Sequence, residues 1–115
     1  MQGWLLKQGA VLRRWTRRFY RLDRGVLSYY PDDKSPRALD SVLLLSPSGV
    51  AGAERDEAGA LGVEHGFTLR TAQRELRLAA GSAEELDAWL AALEVYAAHA
   101  ALRARIASKK LLRKY

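Results

Sequence analysis

Residues 3–30 read as three short strands in which cationic residues repeatedly interrupt faces that should be apolar. The pattern predicts a strand over Gly3–Gln8, a loop over Gly9–Arg14 and a second strand over Trp15–Leu22. Asp23-Arg24-Gly25 reads as a three-residue hairpin loop with glycine at the position of positive φ, leading into a third strand, Val26–Tyr30, that stops at Pro31-Asp32-Asp33. A fourth strand falls within Leu39–Leu45, although Val42–Leu45 do not alternate. Residues 46–66 are interrupted by glycines and carry Glu54, Asp56 and Glu57; they predict a weak strand near Gly49–Glu54 and a mobile loop after it. Phe67–Arg70 and Glu75–Ala79 form a hairpin across Thr71-Ala72-Gln73-Arg74, with Phe67, Leu69, Leu76 and Leu78 inward.

The period then changes. Ser82 followed by Glu85 is a capping box, and Glu84 and Asp87 suit the positive end of a helix dipole. Leu86, Trp89, Leu90, Leu93, Tyr96 and Ala97 make one apolar stripe. Neither glycine nor proline occurs from Ser82 to Tyr115, so the helix is expected to run past Ala98. About seven strands followed by one amphipathic helix predict a mainly β fold: a bent, seven-stranded antiparallel barrel or sandwich capped by the C-terminal helix. A domain over residues 1–98 and a basic helical extension over 99–115 follow from that division.

Charge sharpens the picture. Seven cations against Asp23 alone fall in residues 1–24, six cations against twelve acids in residues 25–102, and six cations with no acid in residues 103–115. Such segregation gives the molecule a face suited to an anionic surface. Side-chain alternation puts Arg18 on the face of Tyr20 and Leu22, and Lys7 on the face of Leu5. Pairing the two strands through the Gly9–Arg14 loop brings Lys7 and Arg18 to the open end of the core. Like charges gathered there call for a polyanion to neutralise them. Val11 and Leu12 stand beside Arg13 and Arg14, a mixture suited to a loop that enters a headgroup layer. Trp4, Trp15 and Trp89 read as packing residues.

Other classes find less support. The 115 residues suffice for one core, and no apolar run approaches the roughly 20 residues that span a bilayer. Lys7 and Arg13 interrupt any signal-peptide reading, so a cytoplasmic protein is expected. The chain has no cysteine, and His65 and His99 have no nucleophile to serve, so no enzyme, cofactor or metal is expected. A pI near 10 raises nucleic acid, but the acidic middle and the lack of a glycine-rich aromatic strand argue against it. A protein-binding module, using the basic groove or the C-terminal helix, is the remaining alternative. A monomer is expected.

Gly3-Trp4-Leu5-Leu6-Lys7, Trp15-x-x-Arg18-Phe19-Tyr20-x-Leu22 and Leu27-Ser28-Tyr29-Tyr30 resemble a pleckstrin homology domain, as do Ala79-Ala80-Gly81-Ser82-x-x-Glu85-Leu86 and Trp89. The resemblance covers about residues 2–98. It implies that Trp89 plugs the barrel, that Lys7 and Arg18 grip inositol phosphates, and that the protein is a phosphoinositide-binding module recruited to a cytosolic membrane face, at the plasma membrane, Golgi or endosome. Thr16 stands where binders in that family often carry a further basic residue; Arg13 or Arg14 would have to replace it. Tyr29 and Arg37, in Lys34-Ser35-Pro36-Arg37, resemble ligand contacts of members selective for 3-phosphorylated inositides. Met1–Lys7 and Gly25–Tyr30 resemble instead the Golgi-directed readers of phosphatidylinositol 4-phosphate, in which apolar loop residues such as Val11 and Leu12 enter the bilayer. Both readings stand.

Overall fold

The computed structural model describes residues 1–46, 49–50 and 52–113. β1 (Gln2–Gln8), β2 (Trp15–Asp23), β3 (Val26–Tyr30) and β4 (Asp40–Leu43) form an antiparallel meander. β5 (Leu45–Ser46) and β6 (Gly49–Val50) pair as a separate ribbon. β7 (Gly52–Arg55), β8 (Gly66–Arg70) and β9 (Glu75–Ala79) form a second antiparallel run, and β9 returns to β1. The result is one seven-stranded sheet, ordered β4-β3-β2-β1-β9-β8-β7, with the helix α1 (Ala83–Arg113) after it.

Three local expectations need correction. Asp23 pairs directly with Val26, so the β2–β3 turn has two residues, not three. Arg24 and Gly25 take φ of 51° and 79°, the double positive φ of the turn that matches strand twist. The strand expected near Gly49–Glu54 is divided between β6 and β7. The segment expected to be a mobile loop after it is tied internally: the Asp56 carboxylate accepts from the Ala60 and Leu61 amides, both at 3.0 Å. Short-range turn bonds of this kind leave no hydrophobic periodicity to read.

β1 pairs with β2 along its whole length but with β9 only over Leu6 and Lys7. The sheet therefore splays beside the first half of β1. Trp89 fills that gap from α1, with 2% of its surface exposed. A side chain begun at Gly3 would meet its indole at 3.7 Å, so glycine here leaves the ring its space. Leu5, Tyr20, Leu22, Leu27, Phe67, Leu69, Leu78, Leu86 and Leu93 complete the core. The Ser82 hydroxyl caps the helix by accepting from the Glu85 amide at 3.1 Å. The return arm of the capping box goes from the Gly81 amide to the Glu85 carboxylate at 3.2 Å, one residue before the cap. Of the predicted helical stripe, Leu86, Trp89 and Leu93 are buried and Leu90 and Tyr96 half-buried; the Ala97 side chain lies outside the described residues.

Tyr20 is fully buried, and its hydroxyl has no hydrogen-bond partner among the described residues. Burial and the neighbouring Tyr29 push its pKa far above the usual phenol range. Trp89→Ala should cost about 3–5 kcal/mol of stability in urea unfolding, through loss of contacts and an unfilled gap. Tyr20→Phe should instead raise stability by about 1 kcal/mol, because it removes a hydroxyl desolvated without return. A destabilised Tyr20→Phe chain would show that the hydroxyl is satisfied in solution.

Candidate functional site

Inward-facing positions on β1 run Gly3, Leu5, Lys7, from the end closed by Trp89 to the opposite end. At about 3.4 Å per residue, Lys7 lies about 14 Å beyond Gly3. It is the first inward residue past the core, and its long stem can reach water. Register places Thr16 across from Lys7, and Arg18 across from Leu5. Lys7 and Arg18 are thus diagonal neighbours on one face. Together with Gly9, Thr16, Tyr29 and Leu39 they line an open cleft of about 180 Å³. The Lys7 ammonium lies 5.3 Å from the centre of the Tyr29 ring, within cation–π range. One Arg18 nitrogen donates to the Arg17 carbonyl at 3.2 Å.

The other predicted residues flank this cleft without lining it. The β1–β2 loop is closed by the Gly9 amide donating to the Arg14 carbonyl at 2.8 Å, with Arg13 at a φ of 53°. That closure presents Val11 and Leu12 at 90% and 71% exposure. Arg13 and Arg14 are exposed on the same loop. Arg37 is exposed on the β3–β4 loop, whose end is fixed where the Leu39 amide donates to the Tyr29 carbonyl at 2.7 Å.

The opposite face of β2 carries the other arginines. Arg17 lies over the Trp4 ring at 4.0 Å. Arg21 lies over Phe19 and Tyr30 at 5.3 and 4.7 Å, and Trp4 meets Phe19 edge-on at 5.4 Å. These stacked guanidinium groups explain why Phe19 is buried although it points away from the core. Arg17 and Arg18 are adjacent in sequence and belong to different surfaces.

A pair of residues not singled out in the sequence completes the mouth. Arg74, in the β8–β9 turn, reaches Asp40 at the start of β4 with N···O of 2.8 Å, and donates to the Ser41 carbonyl at 3.4 Å. The tie crosses from the last hairpin to the far edge of the sheet. The Ser41 amide and the Arg74 guanidinium hold the Asp40 carboxyl below its ordinary value, and Lys7 contributes at longer range. An anion whose field reaches Lys7 must be set against any anionic ligand. The sequence signal was slight: an acid opening β4 and a base closing a four-residue turn.

Among the described residues no group of three His, Asp or Glu side chains is placed to hold a metal. No helix among them is long and apolar enough to cross a membrane.

Comparison with known proteins agrees with this geometry. Residues 1–97 match the family model for the PH domain. Diacylglycerol kinase eta of Mus musculus is 34% identical over 93 residues, 81% of this chain and 7% of that protein. Pleckstrin homology domain-containing family A member 4 of Homo sapiens is 39% identical over 98 residues, 81% of this chain and 12% of that protein. The chain therefore spans only a small fraction of the length of these relatives. Among solved structures, the C-terminal PH domain of pleckstrin in complex with D-myo-Ins(1,2,3,4,5)P5 superposes with a TM-score of 0.68 at 26% identity, over 84% of this chain and 96% of that one. The PH domain of human oxysterol binding protein-related protein 11 shares the fold, with a TM-score of 0.68 at 24% identity over 86% of this chain and 80% of that one. From its splayed sheet and Trp89 plug to the match over residues 1–97, the chain belongs to the PH domain family.

Proposed function

We propose that the chain is a phosphoinositide-binding module that holds its protein at a cytosolic membrane face. The observation that carries this reading is the cleft where Lys7 and Arg18 converge beside Tyr29. Phosphate oxygens accept charge-assisted hydrogen bonds from both cations, and a polyphosphate relieves their mutual repulsion. The inositol phosphate bound by a structural neighbour supports the same ligand chemistry. Val11 and Leu12 then enter the bilayer beside the bound headgroup, with Arg13 and Arg14 at the level of the phosphates. Arg37, on the other flanking loop, meets the headgroup from the side of Leu39. Residues 99–115 form a basic extension that adds nonspecific attraction to anionic lipid.

Arg18→Ala should weaken binding to inositide vesicles by at least tenfold, as expected for lost hydrogen bonds between charged groups. Arg17→Ala should change it little, because that guanidinium stacks on the other face. Equal losses in the two variants would place the site on the wrong surface. A soluble inositol phosphate measured by calorimetry separates headgroup contact from general attraction to the bilayer.

Replacing Val11 and Leu12 with serine should cost vesicle binding about 1.5–3 kcal/mol for each side chain that leaves the bilayer. Affinity for the soluble headgroup should stay the same. A parallel fall in both would make the loop part of the headgroup site.

Asp40→Asn should tighten headgroup binding about two- to fivefold, the worth of one exposed charge pair, since it removes an anion near Lys7 and releases Arg74. Arg74→Ala should weaken binding by leaving Asp40 unopposed. Because the folded pKa of Asp40 is depressed, the stability its ionised form contributes is present above its unfolded value near 4 and is lost as pH falls through the folded value. Titration of the carboxyl followed by NMR checks that window. Weaker binding in Asp40→Asn would mean that the tie shapes the mouth.

A further inference from the structure

A second cavity lies away from the cationic cleft, where the sheet splays. It measures about 410 Å³ and runs between the first half of β1 and the Ala80–Gly81 corner, with Glu85, Ala88 and Trp89 as its helical wall. Hydrogen-bond parity along β1 decides what this groove presents. The Leu22 amide donates to the Met1 carbonyl, and the Gly9 amide donates to the Arg14 carbonyl, both at 2.8 Å. Both couples fit the β1–β2 register, and in an antiparallel pair bonded and non-bonded couples alternate. Gly3, Leu5 and Lys7 therefore exchange bonds with β2, while Gln2, Trp4 and Leu6 turn their amides and carbonyls the other way. Leu6 meets Ala79 of β9. No strand among the described residues lies beyond Gln2 and Trp4, so two amides and two carbonyls face the groove at a spacing of about 6.8 Å, the repeat of a β-strand.

We propose that this groove is a peptide-binding site, in which an extended acidic segment of a partner adds a strand antiparallel or parallel to residues 2–4 of β1. Main-chain bonds to Gln2 and Trp4 supply the affinity. In the added strand, side chains alternate between the two faces. Those turned toward Ala88 and Trp89 must be small, because the indole already fills the gap. Those turned outward meet Arg17, whose guanidinium lies over Trp4 at the groove and makes no hydrogen bond or ion pair among the described residues. A carboxylate there gains a charge-assisted bond. Arg17 is the one cationic side chain among the residues lining the groove, and the Glu85 carboxylate is engaged by the Gly81 amide; a lone guanidinium favours a single acidic side chain over a polyphosphate. The occupant is thus an extended peptide in which acidic and small residues alternate.

A capped pentapeptide alternating glutamate and alanine is a direct probe, titrated into the ¹⁵N-labelled chain. In the free protein the Gln2 and Trp4 amides should exchange with solvent at least tenfold faster than those of Gly3 and Leu5. Saturating peptide should slow the Gln2 and Trp4 amides at least tenfold and leave the Lys7 and Arg18 signals in place. Gln2→Pro removes one groove-facing donor at the first residue of a strand, where proline is tolerated. It should weaken the peptide at least tenfold and leave vesicle binding unchanged. Arg17→Ala should cost the glutamate peptide about fivefold and a glutamine–alanine counterpart nothing, a comparison that decides the matter even if the proline variant folds poorly. Absence of shifts at millimolar peptide, or equal affinity for Gln2→Pro, would overturn the site. Gln2 and Trp4 amides already protected in the free chain, with mass rising with concentration, would instead assign the edge to a second copy.

Discussion

The packing of Trp89 against Gly3 is the contact from which the remaining architecture follows. An antiparallel sheet that stayed paired along both edges of β1 would leave the helix nothing to cover. Here β9 departs from β1 after two couples, and the indole takes the place of the missing pairs. Closing this end with an aromatic ring settles the polarity of the whole sheet. Inward positions next to Trp89 must be apolar or absent, and the first inward position on β1 whose side chain reaches past the core is the half-buried Lys7. A cationic mouth is thus what the sheet offers opposite a hydrophobic plug.

Charge at that mouth is balanced rather than simply accumulated. Lys7 rests over Tyr29, and Arg74 is neutralised by Asp40 across the barrel rim. The rim pair holds β4 to the last hairpin, and it also keeps one carboxylate near the ligand site. Its net worth for binding depends on which partner the ligand displaces. On the other face, Arg17, still exposed, and Arg21, half-buried, lay their guanidinium groups on aromatic rings. The arginines of β2 therefore divide between two surfaces, Arg18 in the cleft proposed for the headgroup and Arg17 and Arg21 on the face that covers Phe19.

Strands with strict alternation were legible, and so was the helix, because burial on one face imposes a period that no other constraint disturbs. Lys7 and Arg18 could be placed at one end of one face for the same reason, Tyr29 was named through the family resemblance, and the three share a cleft. The β2–β3 turn was misjudged by one residue because Arg24 adopts a positive φ that its side chain gives no sign of. The ordering of residues 56–61 escaped notice because Asp56 acts on the backbone, and such bonds are invisible to hydrophobic pattern. Asp40 and Arg74 are 34 positions apart in the chain and meet only because the barrel curves. Long-range pairs of exposed charge have no sequence signature at all.

One strand serves both surfaces of this domain, and it does so with different parts of its chemistry. β1 offers the Lys7 side chain to the cationic cleft and the Gln2 and Trp4 main chain to the groove beside the helix. The two sites lie at opposite ends of seven residues, and side chains and backbone groups alternate independently along a strand. Neither occupant has to displace the other. Their remaining link is electrostatic, through Arg17 and Arg18, which point to opposite faces. Solvent screening over about 8 Å at physiological salt keeps that link weak. If both proposals hold, a headgroup and an extended peptide would occupy the domain together, so that a membrane and a protein would be read in the same encounter.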